Sequence, residues 1–361
     1  MTRPFSFSDP ARARALADAI LLLSPPESVK IVHVCGTHEL AITQHGLRRF
    51  LPERVEILEG PGCPVCVTPT RDIDLAVSLA EGGKVLCTFG DMTRVPGTRR
   101  TLEEARSGGA DVHTVLSASE AVAIARKTDR EVVFFAVGFE TTAPTTAAVL
   151  LDRPPRNLSV LVSHKLIPPA MAALLELPGT SIRGYIAPGH VSTVIGTRHY
   201  EPFPKKYRMP VVIGGFEPLD VLYAIALVLR QVRDRSPRVE NAYPRAVTEE
   251  GNRQAQGMME KVFEVVDARW RGIGTIPASG LALRERFREF DARARFAIEG
   301  EEGEDEIPGC RCPDVLTARA APVDCPFFST RCTPLSPVGP CMVGSEGACS
   351  IWFRYGGRPR L

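Results

Sequence analysis

Ten of the 361 residues are cysteines, unevenly spread. Cys35, Cys63, Cys66 and Cys87 lie near the start. Cys310, Cys312, Cys325, Cys332, Cys341 and Cys349 crowd near the end. Disulfide scaffolds belong to short secreted chains, so two separate clusters in a long chain point to chemistry. Cys63-Pro-Val-Cys66 has the C-x-x-C spacing that closes a small redox disulfide or offers two thiolates to a metal. Cys35 follows an apolar run and precedes a helical stretch, with Thr37 as the expected N-cap. A helix N-terminus lowers a thiol pKa and favours the reactive thiolate. His38 is placed to assist that thiol. Cys35 and His38 with Cys63 and Cys66 also read as a structural zinc pattern. Cys87, inside the apolar Lys84–Phe89, reads as core. Spacing alone does not choose four ligands from the last six cysteines. Four thiolates in a poorly periodic segment suit an iron–sulfur cluster, with four-cysteine zinc as the alternative. The spacings lack C-x2-C knuckles, which favours iron–sulfur.

These residues need a frame. Val- and Ile-rich runs predict strands over 29–34, 55–59, 84–89, 112–116, 131–137, 159–163, 182–186 and 209–213. Helical stretches are expected between them, at 39–50, 72–81, 119–127, 142–151, 168–175 and 219–232. Such alternation predicts α/β architecture with buried parallel strands. The runs before and after about residue 128 each hold about four strands, suggesting two similarly built domains, 1–128 and 129–235. A charged connector covers 233–243. Helices are expected at 249–270 and 282–290, then an acidic solvated loop at 299–306. Residues 236–361 form the expected third domain, helical or irregular around an inorganic centre.

In open parallel sheets, sites lie beyond the carboxyl ends of the strands. Most predicted strands end there in a glycine turn, and the turns carry Cys35, His38, Glu39, Cys63, Cys66, Asp91, Glu140 and His190. Acids and imidazoles around a thiolate form a candidate proton-handling ring. The turn Gly214–Pro218 reads only as a βα connection.

The composition excludes other classes. A formal net charge of +2 does not suggest a nucleic-acid or anionic-membrane binder. Apolar runs are too short to span a membrane. Ala15–Leu23 lacks a cleavage site and is interrupted by Asp18, so an amphipathic helix fits better than a signal peptide. The expected location is therefore cytoplasmic. Neither a Walker A nor a G-x-G-x-x-G run is present to hold a nucleotide.

The turns Cys35-Gly-Thr-His-Glu39, Gly60-Pro-Gly-Cys-Pro-Val-Cys66, Gly90-Asp-Met92, Arg94-Val-Pro-Gly97, Gly138–Pro144 and Pro188–Ser192, with the tail Cys341–Cys349, resemble those of the HypD family. That family matures nickel–iron hydrogenases. The resemblance implies two α/β domains plus a C-terminal 4Fe–4S domain. It implies a scaffold for the Fe(CN)2CO unit, working with a small partner, HypC, and receiving cyanide from HypE, which carries it as a thiocyanate. It assigns the iron of that cargo to Cys35 with a HypC cysteine, and a redox role to Cys63 and Cys66. The family's C-x14-C-x6-C-x16-C cluster pattern maps onto Cys310, Cys325, Cys332 and Cys349. Cys312 and Cys341 stay without a role. Pro313 and Gly344 depart from the family pattern beside them, where Gly and Ser are expected.

Overall fold

The computed structural model describes residues 9–298 and 305–356. Eleven strands are found there: β1 Val29–His33, β2 Val55–Glu59, β3 Val85–Thr88, β4 Val112–Thr114, β5 Val132–Gly138, β6 Leu158–His164, β7 Ile182–Pro188, β8 Val211–Gly214, β9 Val239–Asn241, β10 Phe263–Trp270 and β11 Gly274–Leu283. β1 to β9 form two parallel sheets, in the orders β2-β1-β7-β8-β9 and β4-β3-β5-β6. Every residue of β5 and β6 is buried, as expected where helices cover both faces of a parallel sheet. The α/β class and all eight predicted strands are observed.

The strands do not divide between the sheets at residue 128. Residues before it supply β1 and β2 to one sheet and β3 and β4 to the other; residues after it supply strands to both. The four-stranded sheet is an excursion between β2 and β7 of the five-stranded one. Likewise, a boundary at 235/236 would cut β9 from its sheet.

The helix expected over 249–270 is Arg253–Val262 alone, capped by the Asn252 side chain. At Phe263 the chain turns into β10, which pairs antiparallel with β11. This hairpin meets the edge strand β6 through a Lys165–Gly280 bridge and a hydrogen bond from Leu166 N–H to the Ser279 carbonyl (2.9 Å), protecting an otherwise open sheet edge. The expected helix over 282–290 is the end of β11 followed by a 3-10 turn, Glu285–Phe290. The amphipathic helix expected over 15–23 is observed as Pro10–Leu23 and begins earlier, with Asp9 as N-cap and Pro at the first position. No described helix is long and apolar enough to cross a membrane. Most of the acidic run, residues 299–304, lies outside the described residues.

After Asp305 the chain is irregular, with short helices Cys312–Leu316, Pro340–Val343 and Ala348–Tyr355. It builds no separate core. Leu316, Ala318, Ala321, Met342 and Trp352 share one apolar cluster with Val32, Leu58, Tyr185 and Val211 of the five-stranded sheet.

Candidate functional site

Cys35 follows β1 and is itself the N-cap of the helix Gly36–Gln44. Thr37, expected at the cap, lies inside the helix and donates its hydroxyl to Glu346 Oε1 (3.2 Å). The Cys35 thiol is buried, and burial, with the nearby Glu346 charge, pushes its pKa up to about 12. The expected lowering by the helix terminus is thus outweighed by desolvation. Only a bound cation or a base would convert this thiol to thiolate near neutral pH.

Two glycines bring other segments onto Cys35. A Cβ on Gly62 would lie 2.2 Å from the Cys35 nitrogen, so the loop after β2 runs against the Cys35 backbone. A Cβ on Gly36 would lie 2.3 Å from the Glu346 carbonyl oxygen, so the C-terminal segment closes over the other side. Cys63 and Cys66, beyond Gly62, are joined as a buried disulfide. Cys66 N–H donates to Cys63 Sγ at 3.2 Å, and Cys66 Sγ lies 3.9 Å from the Pro340 carbonyl oxygen.

Asp91 faces the same closing segment. Its Oδ2 accepts from Ser345 N–H (2.9 Å) and Oγ (3.1 Å). Arg94 donates to the Val343 carbonyl (3.2 Å). The turn after β3 therefore holds the residues flanking Glu346 in place.

Glu39 is fully buried. It accepts from Arg48 through both oxygens (2.9 and 2.7 Å), from Thr43 (2.5 Å) and from Trp352 Nε1 (2.7 Å), and it meets His33 Nε2 at 2.9 Å. Burial opposes its ionisation, but the Arg48 guanidinium and His33 overcome that and hold it below the usual carboxylate range. With its oxygens so committed, Glu39 anchors the C-terminal helix and is not poised to shuttle protons.

His38 is buried with Nε2 3.3 Å from the Gly214 carbonyl oxygen. Desolvation lowers its pKa to about 3, so it is neutral and donates to that carbonyl. Its ring stacks on Phe216 (4.9 Å between centroids), and the exposed His190 stacks on Phe216 as well (3.8 Å). The turn Gly214–Pro218, read from sequence as a plain connection, thus links the two histidines.

Glu140, after β5, is buried. Oε1 accepts from Ile167 N–H (2.9 Å), while Oε2 has no partner among the described residues. Burial raises its pKa to about 7, so it keeps a proton into the neutral range. Glu140 and Cys35 both lie within electrostatic reach of the buried Tyr200, whose hydroxyl is 3.1 Å from Ser192 Oγ. Tyr200, Glu346 and Trp352 were not singled out from sequence, because only the fold brings them to the strand ends.

All six C-terminal cysteines line one small cavity with Phe328, Gly339 and Met342. Cys332 Sγ accepts from Val338 N–H (3.3 Å), and a Cβ on Gly339 would sit 3.0 Å from Cys310 Sγ. Burial pushes Cys310 up to about 12. Cys312 and Cys341 form a close pair, Sγ to Sγ 2.8 Å. The buried guanidinium of Arg271 lies within electrostatic reach of Cys312, Cys341 and Cys310. Among the described residues, no three His, Cys, Asp or Glu side chains meet at a single-ion centre.

The family model described as "HypD: Hydrogenase formation hypA family" matches residues 11–356. The chain belongs to the HypD family. Its curated relatives are hydrogenase maturation factors, and so is this chain by that membership. The hydrogenase expression/formation protein HupD of Azotobacter chroococcum is 46% identical, over 97% of this chain and 96% of the relative. The hydrogenase maturation factor HypD of Azotobacter vinelandii is 45% identical over the same shares. That of Cupriavidus necator is 46% identical over 92% of this chain and 91% of its own. The HypD resemblance drawn from the glycine turns and cysteine spacings is thereby borne out.

Proposed function

We propose that this maturation factor is the scaffold and redox partner on which the Fe(CN)2CO unit is assembled. In this reading Cys35 holds the cargo iron together with a cysteine of a small HypC-type partner, and a HypE-type donor brings cyanide as a thiocyanate. The convergence on Cys35 carries the reading: the Gly62 contact brings the Cys63/Cys66 loop to one side and the Gly36 contact brings Glu346 to the other.

Reductive delivery has a simple balance. The Cys63/Cys66 dithiol gives up two electrons and two protons and becomes the disulfide. The C–S bond of the thiocyanate breaks, the donor regains its thiol, and cyanide leaves with the second proton or binds the iron and releases it. The disulfide is the oxidised member of that couple. Glu140 is the group best suited to hold a proton at neutral pH. His38 stays neutral, with His190 at the solvent face.

The resident cofactor proposed for the C-terminal cavity is a 4Fe–4S cluster on Cys310, Cys325, Cys332 and Cys349. A cubane spreads its cysteines over separate iron atoms, so its thiols ring a cavity. Six sulfurs around one space, a backbone N–H directed at Cys332 and a buried guanidinium suit such a group. Bound there, it would supply electrons one at a time beside the Pro340 segment that touches Cys66.

Anaerobic co-purification with the partner, followed by infrared spectroscopy, tests the proposal. Wild type should show CN and CO stretches. Cys63→Ser and Cys66→Ser should lose the CN bands while still binding the partner. Normal CN bands in either variant would refute the relay and leave a purely structural scaffold. Wild type without either band would leave a disulfide reductase with no iron cargo.

A further inference from the structure

A second cleft lies apart from the cysteines, at the carboxyl end of the edge strand β6. It encloses about 240 Å3 between that strand and the β10–β11 hairpin, and its polar lining includes Arg71, Asp72, Ser163, Lys165, Arg269 and Arg293. Strand alternation puts Ser163 and Lys165 on one face. Asp72 in the lining and Asp305 within electrostatic reach of Lys165 are both engaged. Asp72 accepts from Ser163 Oγ and Arg293 Nη2, each at 2.7 Å. Asp305 accepts from Arg269 Nε (2.5 Å) and Thr70 N–H (2.9 Å). At the rim, Asp267 accepts from Ala278 N–H and Asp291 from Arg293 N–H, each at 2.9 Å.

Lys165 differs from its neighbours. It is 4% exposed, and its Nζ makes no hydrogen bond or ion pair among the described residues. Burial lowers its pKa to about 8, against the opposing pull of Asp72, so most molecules carry the charge at neutral pH. Its Nζ is not among the fully buried unpartnered atoms of the described residues, so the ammonium opens onto the cleft, where a ligand can reach it. Arg71 and Arg293 add positive potential around it, and the carboxyl end of a parallel strand is where such folds place ligands.

We propose that this cleft is a binding site for a small oxoanion, a carboxylate or phosphate group, with Lys165 as its central contact and Arg71 beside it. The site is independent of the iron-assembly reading.

Titration calorimetry of the full chain with inorganic phosphate and, separately, with acetate tests it. Saturable binding of at least one anion is expected, weakened tenfold or more in Lys165→Met and unchanged in the surface control Lys206→Met. Binding of phosphate alone identifies a phosphoryl ligand; binding of acetate alone identifies a carboxylate. Reductive methylation of wild type with peptide mapping gives a readout independent of the variant's folding. The bound anion should slow modification of Lys165 several-fold and leave Lys206 unaffected. No saturable binding of either anion, binding that survives in Lys165→Met, or a Lys165 methylation rate indifferent to the anion overturns the proposal.

Discussion

Replacing Glu140 with Gln should change how stability depends on pH. Glu140 is buried with one oxygen unpartnered, and its pKa rises from the ordinary 4.5 to about 7 on folding. A carboxyl raised on folding favours the native state most below its unfolded pKa. That advantage fades as pH rises from 4.5 and is gone above about 7. At about 1.4 kcal/mol per pH unit, the burden at pH 8 is about 3 kcal/mol. Gln stays neutral at every pH and keeps an oxygen for the Ile167 N–H. Urea unfolding of wild type and Glu140→Gln should therefore agree to within about 1 kcal/mol at pH 4.5 and differ by about 3 kcal/mol at pH 8, with the variant more stable. Taking the difference between the two proteins removes the other titrating groups. A gap that is constant with pH, or that widens toward acid, would refute the argument that Glu140 is buried as a neutral acid.

Three further outcomes follow from the same geometry. Gly62→Ala should push the Cys63/Cys66 loop off Cys35, since the clash is with backbone, and Cys35 alkylation by iodoacetamide should quicken at least tenfold; an unchanged rate would count against the close approach. Trp352→Phe removes a hydrogen bond to a charged carboxylate and should cost about 2 kcal/mol in urea unfolding, and a loss under about 0.5 kcal/mol would mean Glu39 does not anchor the tail. On anaerobic purification, Cys325→Ser should lose iron and sulfide while Cys312→Ser retains them; zinc in place of iron in wild type would overturn the cluster assignment.

Much of the frame was legible because buried parallel strands are short Val/Ile runs that punctuating glycines delimit. What escaped was pairing. Nothing in Val85–Thr88 or Val132–Gly138 says that these strands sit beside each other in a sheet separate from β1. β10 was read as helix because no Gly or Pro separates Val262 from Phe263, so a true helix runs straight into a strand whose partner lies further along the chain. That Cys, His and acidic residues gather at the strand ends was foreseeable from residue type, but Cys35's elevated pKa was not. Its burial depends on Gly62 and on Glu346, far away in sequence. Glu39 was misread for the same reason: Arg48 and Trp352 saturate it, and only the folded chain shows them there.

The nested order of the two sheets also sets a timetable for synthesis. β1 and β2 emerge first but must wait for β7 to β9, while β3 to β6, contiguous in the chain, can pair in the interval. Thr37 then waits longer still, because Glu346 lies 309 residues downstream. A nascent chain therefore displays Cys35 without its cover until translation is nearly finished. A truncated product that ends before Glu346 would expose the same thiol without the segment that closes over it, while keeping the Gly62 loop on its other flank.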